Sequence, residues 1–138
     1  MKHILILILL ATGIQAHSQD VEKTMVVKDY FSGWQKKDWS IVARNLAPGF
    51  TFTSPAPDDH IDINKFKEKC WVQSEHISRF DFPKIVESDD QVLAIVHVIT
   101  SDGRVLRNVE LFTFEGNKIR SIEVFFGGGG EGFPTNKK

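Results

Sequence analysis

Residues 91–126 read QVLAIVHVITSDGRVLRNVELFTFEGNKIRSIEVFF and decide the fold. The run Gln91–Thr100 is dense in Val and Ile, which are strand-forming residues. The runs 104–115 and 118–126 alternate apolar with polar side chains, so each gathers its apolar residues on one face of an extended chain. The three runs predict three β-strands with a buried face.

Short turns separate these predicted strands. Asp102-Gly103 and Gly116-Asn117 are dipeptides that favour the tight turns of β-hairpins. Phe80 and Phe82 alternate with polar residues ahead of the first run and predict one more strand. The C-terminal half is therefore predicted to form a four-stranded antiparallel meander.

Helical spacing precedes the meander. Apolar residues recur three and four positions apart within residues 21–37, which predicts one amphipathic helix. Its apolar stripe consists of Val27, Tyr30, Phe31 and Trp34. Asp38 is placed to cap a second short helix, residues 50–53 alternate like a short strand, and Asp62 is placed to cap a third helix that ends near Glu75. Three helices followed by strands predict an α+β fold in which a curved antiparallel sheet wraps the first helix.

The first 18 residues have the three parts of a secretory signal peptide. A basic start is followed by an unbroken aliphatic run at 4–10 and by small and polar residues at 11–18. This run is shorter than the about 20 apolar residues that a membrane-spanning helix needs. We expect cleavage after Ser18, or as a second choice after Ala16, and export to the periplasm or the medium. The alternatives are an uncleaved anchor and a buried N-terminal helix.

One domain and a tail follow the predicted signal peptide. Residues 19–127 form a domain of ordinary size, and the Gly-rich residues 128–138 predict a flexible tail. A phosphate-cradling loop at Gly127–Gly130 would need a helix after it, and the sequence predicts none. Loss of Lys2 with the signal peptide changes the net charge from −1 to about −2, so we expect neither nucleic acid nor membrane as a partner of the mature domain.

The order of elements resembles the nuclear transport factor 2-like superfamily, and within it the SnoaL-like and ketosteroid-isomerase-like groups. The resemblance is carried by YFSGWQKKD at 30–38, by the strand that ends before Pro55, and by VELFTFEGNKIRSIEVFFG at 109–127. It covers nearly all of residues 21–127. It implies a cone, in which the sheet curls around a deep apolar pocket, and a homodimer formed through the outer face of the sheet.

The resemblance also implies where polar groups would enter the pocket. Ketosteroid isomerases carry a tyrosine on the first helix, a catalytic aspartate just before the Pro of the first strand, and a protonated aspartate on the next-to-last strand. The corresponding positions here are Tyr30, Ser54 and Glu110. A serine cannot abstract a carbon-bound proton at neutral pH, so the resemblance supports the pocket and argues against that isomerisation.

His97 is the candidate general base. One face of the predicted strand 91–100 is shared by Leu93, Ile95, His97 and Ile99. The resemblance directs this face towards the pocket. Glu110 projects from the next strand into apolar surroundings, where the pKa of a carboxyl group rises. Tyr30, His97 and Glu110 are thus candidates for proton transfer, and the alternative is that they pair only to satisfy buried polar groups.

Several side chains are candidates for contact with a ligand. They are Trp34, Phe52, Ser54, Trp71, Ile95, Phe112 and Phe126. The alternative for most of the aromatic ones is that they simply form the core. The predicted location outside the cytosol argues against a nucleotide, and we expect no cofactor.

Two further groups of residues have a structural interpretation. Cys70 is the only cysteine, so it forms no internal disulfide, and its apolar neighbours favour a packed thiol over a nucleophile. Asp58, Asp59, His60 and Asp62 have a spacing that matches no defined metal site. We expect a solvated loop with a helix cap there, and no metal.

The leading functional hypothesis is an exported domain that binds a small apolar or aromatic molecule in the cone. The second is a general acid–base enzyme, an isomerase, dehydratase or cyclase, in which His97 is the base and Tyr30 and Glu110 orient the substrate oxygen. The third is a structural or protein-interaction module whose pocket is filled by its own side chains.

Overall fold

The computed structural model describes residues 22–55 and 57–126 of the 138-residue chain, with only the backbone of Phe126. The predicted signal peptide and the predicted tail at 128–138 lie outside the described residues. Within the described part of the chain, no helix is both long and apolar enough to cross a membrane.

The helices come first and most of the strands follow, as predicted for an α+β fold. The helices are α1 (Lys23–Lys36), α2 (Trp39–Arg44), α3 (Ile63–Lys69) and a 3₁₀ helix (Trp71–His76). The strands are β1 (Leu46–Thr53), β2 (Ile61–Asp62), β3 (Ile77–Ser88), β4 (Gln91–Thr100), β5 (Val105–Glu115) and β6 (Lys118–Phe126).

The strands form one curved, open sheet in the order β2-β1-β6-β5-β4-β3. The predicted meander is confirmed, because β3, β4, β5 and β6 pair successively and antiparallel. The prediction of an entirely antiparallel sheet is wrong, because β1 pairs parallel with β6. Turn dipeptides indicate only how strands that follow each other in sequence pair. The strands β1 and β6 are neighbours in the sheet but are connected through the rest of the domain, so no turn signal predicts their parallel pairing. The two-residue strand β2 was not predicted.

The first helix lies in the concave face of the sheet, against β3 and β4. Its predicted stripe is buried, as are Val26 and Gly33. At Gly33 the helix touches α2 so closely that a Cβ atom would lie 2.8 Å from Val42 Cγ2. The start of α1 is capped from β3, since the Glu87 carboxylate accepts a hydrogen bond of 3.0 Å from the backbone N–H of Thr24.

The two predicted aspartate caps are present. The Asp38 carboxylate accepts from the backbone N–H of Ser40 at the start of α2, and that of Asp62 accepts from two backbone N–H groups at the start of α3. The third helix is shorter than predicted, because the α-helix ends at Lys69 and the chain continues as the 3₁₀ helix. There Trp71 packs edge-on against Trp34, with ring centroids 5.1 Å apart, so tertiary packing overrides the helical periodicity.

The predicted orientation of β4 is wrong. The residues that face α1 are Val92, Ala94, Val96 and Val98, all of them buried. Leu93, Ile95 and His97 point to the outer face, and Leu93 is 41 % exposed. Between Val92 and Ile99 both faces of this strand are apolar except for His97. The alternation of apolar and polar residues therefore could not tell which face meets the helix. The smaller side chains occupy the inner face, where α1 packs closely against the strand.

Candidate functional site

A cavity of about 540 Å³ lies between α1, the concave face of the sheet and the segment from α3 to the 3₁₀ helix. Aromatic side chains form much of its wall. They come from α1, β1, α3 and β3 and are Tyr30, Phe31, Trp34, Phe52, Phe66 and Phe80. The cavity opens beside the turn between β4 and β5, where the exposed Gln73, His76 and Arg104 form its rim. It is thus an apolar cleft with a polar entrance.

The chain around β5 runs from the rim to the interior of the cavity. Arg104, Leu106, Asn108 and Glu110 all contribute to the lining, and they stand two residues apart. Alternate residues of a strand point to the same face and advance along it, so the path from Arg104 to Glu110 is about 20 Å long. Arg104 is exposed and Glu110 is only 6 % exposed. A ligand lying along this strand would pass from a charged rim to a buried carboxyl group.

Glu110 is a buried carboxyl group without a cationic partner among the described residues. Burial raises the pKa of its side chain from the usual 4.5 to about 7, and a hydrogen bond of 3.4 Å from Asn108 Nδ2 opposes the rise. Near neutral pH much of the Glu110 population therefore carries a proton. The group can then donate a hydrogen bond into the cavity.

Tyr30 provides a second polar group at the inner end. Its side chain is 3 % exposed and packs edge-on against Phe112, with ring centroids 5.9 Å apart. Burial raises the pKa of its phenol well above the usual 10.0; the charge of Glu110 adds to the rise, and the nearby indole N–H of Trp34 offsets part of it. The Tyr30 hydroxyl is therefore neutral and able to donate.

Trp34 stands one helical turn after Tyr30 on the same face of α1. Its side chain is 7 % exposed. The Nε1 atom is buried, and no group in the described part of the chain accepts a hydrogen bond from it with normal geometry. The indole N–H is enclosed by the wall on the side of the Tyr30 hydroxyl, whose pKa it lowers, and it is not exposed to the cavity.

The family model of the SnoaL-like domain matches residues 27–122. The chain belongs to the SnoaL-like family. The resemblance to the nuclear transport factor 2-like superfamily is thereby confirmed. No curated protein matches the sequence.

Solved structures with the same fold share little sequence with this SnoaL-like domain. An NTF2-like protein of unknown function from Cytophaga hutchinsonii is 17 % identical over 80 % of this chain and 94 % of its own, with a TM-score of 0.62. AclR, a putative hydroxylase from Streptomyces galilaeus, is 13 % identical over 78 % and 76 %, with a TM-score of 0.64. TerC, co-crystallised with polyporic acid, is 16 % identical over 76 % and 90 %, with a TM-score of 0.60. At these identities the likeness concerns the fold alone.

Five of the predicted site residues lie together in the SnoaL-like cavity. They are Tyr30, Trp34, Phe52, Ser54 and Glu110. His97 does not join them, because it lies on the outer face of β4 between Asp81 of β3 and Arg107 of β5. The hypothesis that Tyr30, His97 and Glu110 surround one substrate is therefore wrong.

The remaining predicted ligand contacts lie elsewhere. Ile95 is on the outer face of the sheet with His97. Trp71 packs behind Trp34, and Phe112 packs behind Tyr30, and neither contributes to the wall of the cavity. The side chain of Phe126 lies outside the described residues. Aromatic residues were thus correctly expected around the cavity, but some of them form its supporting layer.

The rim was not predicted. His76, Thr100 and Arg104 line the entrance, and they also line a small polar recess of about 120 Å³ next to it. Arg104 is held there by the Asp102 carboxylate at 2.8 Å. One signal in the sequence could have identified Arg104, because it lies an even number of residues from Glu110 and so shares its face.

The acidic loop makes pairwise contacts instead of one cluster. The Asp58 carboxylate, which also lines the cavity, accepts a hydrogen bond of 2.9 Å from Lys69 Nζ. Asp59 pairs with His60, and Asp62 caps α3. In the residues that the structure describes, no three side chains of the metal-binding types come together.

Cys70 is half-buried and lines the cavity near Asp58. Burial raises the pKa of its thiol from 9.0 to about 11, and the Asp58 charge adds to the rise. The thiol is protonated at neutral pH, which agrees with its interpretation as a packing residue rather than a nucleophile.

Proposed function

We propose that this SnoaL-like domain binds a small apolar or aromatic molecule in the cavity on the concave face of its sheet. The observation that carries the proposal is a cavity of about 540 Å³ with aromatic walls and a few polar groups at its inner end. Small-molecule sites have volumes of about 300–1,000 Å³ and the same mixture of apolar wall and few polar groups. The likeness to TerC, which was co-crystallised with polyporic acid, is in keeping with this role.

The observations favour binding over the other two hypotheses. An interaction module with a filled pocket would leave no such cavity. An acid–base enzyme with His97 as its base would need that side chain inside, and it lies outside. At the inner end the Tyr30 phenol stays protonated because burial raises its pKa, and Glu110, with a pKa of about 7, is partly protonated near neutral pH, so the cavity offers hydrogen-bond donors to a ligand.

Native mass spectrometry of the protein purified from its own host tests the proposal. We expect a bound small molecule on the wild-type domain and its loss in Ser54→Trp, where the half-buried Ser54 lines the cavity. The matched control is Ser88→Trp at the exposed end of β3, which should keep the ligand. Equal retention of the bound mass by the two variants would contradict the proposal, as would a wild-type domain without any bound molecule.

The proposal includes export, on the basis of the signal-like residues 1–18. Peptide mass mapping of the protein recovered from its host should give a first residue close to Gln19 or to His17. A protein that retains Met1 and stays in the cytosol would contradict this part.

We also propose a second copy of the chain as the partner of the outer sheet face. Each of the strands β3 to β6 carries one exposed apolar side chain on that face, and Val86 and Leu93 are direct cross-strand neighbours. The four residues are Val86, Leu93, Val105 and Phe125. Apolar patches of this kind mark interaction surfaces. Leu93→Lys should convert a dimer into a monomer in light scattering after gel filtration, and Met25→Lys on the exposed side of α1 should not. A wild-type chain that is monomeric at high concentration would refute the dimer.

A further inference from the structure

We infer that the ligand is an organic base, and that its ammonium group binds the Glu110 carboxylate at the inner end of the cavity. The inference rests on the binding function proposed above and narrows the ligand class to an aromatic amine. It distinguishes this ligand from a neutral aromatic molecule of the same shape.

The Glu110 carboxyl group has one oxygen left for a ligand. Oε1 accepts the long hydrogen bond of 3.4 Å from Asn108 Nδ2, and Oε2 accepts none from the described residues. Trp34 Nε1 is the one side-chain oxygen or nitrogen atom of the described residues that is both enclosed and unpaired, so Glu110 Oε2 keeps accessible surface. Because Glu110 lines the cavity, a ligand can reach this oxygen.

The neighbouring strands do not neutralise the Glu110 carboxylate. Its cross-strand neighbours are Ala94 of β4 and Val124 of β6, both buried and apolar. Burial raises the pKa of Glu110 to about 7, so about half of the molecules carry a buried negative charge near neutral pH. A cation beside a carboxylate favours its ionised form, and a buried charge is costly unless it is paired. A ligand cation at Glu110 would therefore remove a cost that the domain bears on its own.

Two more charged side chains line the cavity, and both are already paired. Asp58 forms an ion pair of 2.9 Å with Lys69, and Arg104 forms one of 2.8 Å with Asp102. An ammonium group that enters the cavity is therefore attracted to Glu110 more strongly than to Asp58. Arg104 opposes its entry only weakly, since the Asp102 charge offsets that of the guanidinium group.

The walls of the cavity suit an organic cation better than a metal ion. Aromatic rings attract ammonium groups to their faces, and Tyr30 stands close enough to Glu110 for the carboxylate charge to act on its phenol. Phe31 and Trp34 continue the aromatic wall. A metal ion needs several ligands, and no three side chains of the metal-binding types come together in the residues that the structure describes. The cavity of about 540 Å³ accommodates an amine with two aromatic rings.

Two probes of nearly equal shape test the inference. 2-Naphthylmethylamine carries an ammonium group at neutral pH where 2-naphthylmethanol carries a neutral hydroxyl group. Isothermal titration calorimetry gives the dissociation constants of both for the wild-type domain, Glu110→Gln and Asp58→Asn. The matched control is Glu123→Gln, because Glu123 is exposed on the outer face of β6.

The quantity to compare is the ratio of amine to alcohol affinity, in which effects common to both probes cancel. At about pH 8 we expect this ratio to fall by about tenfold in Glu110→Gln, because hydrogen bonds between charged groups are stronger than those between neutral ones. It should stay unchanged in Glu123→Gln. It should change less in Asp58→Asn than in Glu110→Gln, because Lys69 already pairs with Asp58.

The protons released on binding give a second readout. At about pH 7 the amine should release about half a proton more from the wild-type domain than from Glu110→Gln, because the cation shifts Glu110 to its ionised form. Titrations in two buffers of different ionisation enthalpy measure this number. Imidazole groups titrate in the same range, but His76 at the rim is present in both proteins, so the difference isolates Glu110. Tyr30 and Cys70 stay protonated, because burial raises the pKa of both.

Several outcomes would overturn the inference and leave small-molecule binding intact. An amine-to-alcohol ratio that is equal in the wild-type domain and Glu110→Gln would show that a neutral group or a water molecule occupies the inner end. A larger fall in Asp58→Asn, or an equal proton release from the wild-type domain and Glu110→Gln, would assign the ammonium group to another acid. An equal fall in Glu123→Gln would show an effect of net charge alone. Failure of both probes to bind the wild-type domain would overturn the proposed function and the inference with it.

Discussion

Replacing Glu110 by Gln is expected to stabilise the folded domain above neutral pH. Folding raises the pKa of Glu110 from 4.5 to about 7, so the folded state holds a proton that the unfolded state releases between these values. The stability linked to this group is complete below pH 4.5 and is lost as the pH rises to about 7. Gln resembles the protonated acid and keeps a carbonyl oxygen for Asn108 Nδ2 to donate to, but it does not titrate.

The difference between the usual pKa of Glu110, 4.5, and its pKa of about 7 in the folded domain sets how much the free energy of unfolding changes with pH. At about 1.4 kcal/mol for each pH unit, it corresponds to up to about 3 kcal/mol in the free energy of unfolding. Water that enters the cavity reduces the value, because it solvates the ionised carboxylate. We expect Glu110→Gln to exceed the wild-type domain by about 1–3 kcal/mol at about pH 8 and to match it near pH 4.

Urea unfolding followed by tryptophan fluorescence across this pH range measures the difference. Subtracting the wild-type curve from that of the variant removes the contributions of the other titrating groups. Glu123→Gln is the matched control, because Glu123 is exposed on the neighbouring strand β6 and its replacement should leave the pH profile unchanged. A difference between Glu110→Gln and wild type that stays constant from acid to alkaline pH would refute the reasoning.

Three more outcomes are expected. Tyr30 is the only tyrosine, and burial raises the pKa of its phenol. We therefore expect the absorbance of tyrosinate to stay low at pH 10.0 and to rise only when the domain unfolds. A reversible titration of the folded protein near pH 10.0 would contradict the burial of Tyr30. Cys70 should react with iodoacetamide at about pH 8 roughly a hundredfold more slowly than free cysteine, because its pKa of about 11 leaves little thiolate. A rate equal to that of the denatured chain would contradict the raised pKa of the thiol. Gly33→Ala should destabilise the domain by about 1–2 kcal/mol in urea unfolding, because the Cβ atom of the alanine would lie 2.8 Å from Val42 Cγ2. Unchanged stability would show that α1 and α2 can move apart without a cost in free energy.

Local signals predicted much of this fold because they act between residues close in sequence. The turn at Asp102-Gly103 fixes how β4 and β5 pair, and Asp38 and Asp62 cap helices through N–H groups two or three residues ahead. Because these signals act only between residues close in sequence, they could not predict pairing between distant strands. The parallel pairing of β1 with β6 joins segments far apart in the sequence.

In the candidate site, too, local sequence signals predicted some positions, and tertiary packing decided the others. The location of Tyr30 and Trp34 beside the cavity could be predicted because the apolar stripe of α1 directs both side chains towards the sheet. His97 was placed wrongly because β4 is apolar on both faces, and the choice between them depends on how closely α1 packs against Ala94 and its neighbours. The enclosure of Trp34 Nε1 beside Tyr30 could not be foreseen, since it depends on how the side chains of the finished wall pack.

The parallel pairing of β1 with β6 has a consequence for how the chain is made. The strand β1 ends at Thr53, and its long neighbour begins at Lys118. At about 5–20 residues per second, a ribosome needs several seconds to add the residues between them. During that time β1 has only the two-residue strand β2 to pair with. The newly made chain therefore completes its sheet only after β6 has been synthesised, and truncations within β6 should leave a domain whose first strand has lost its main partner.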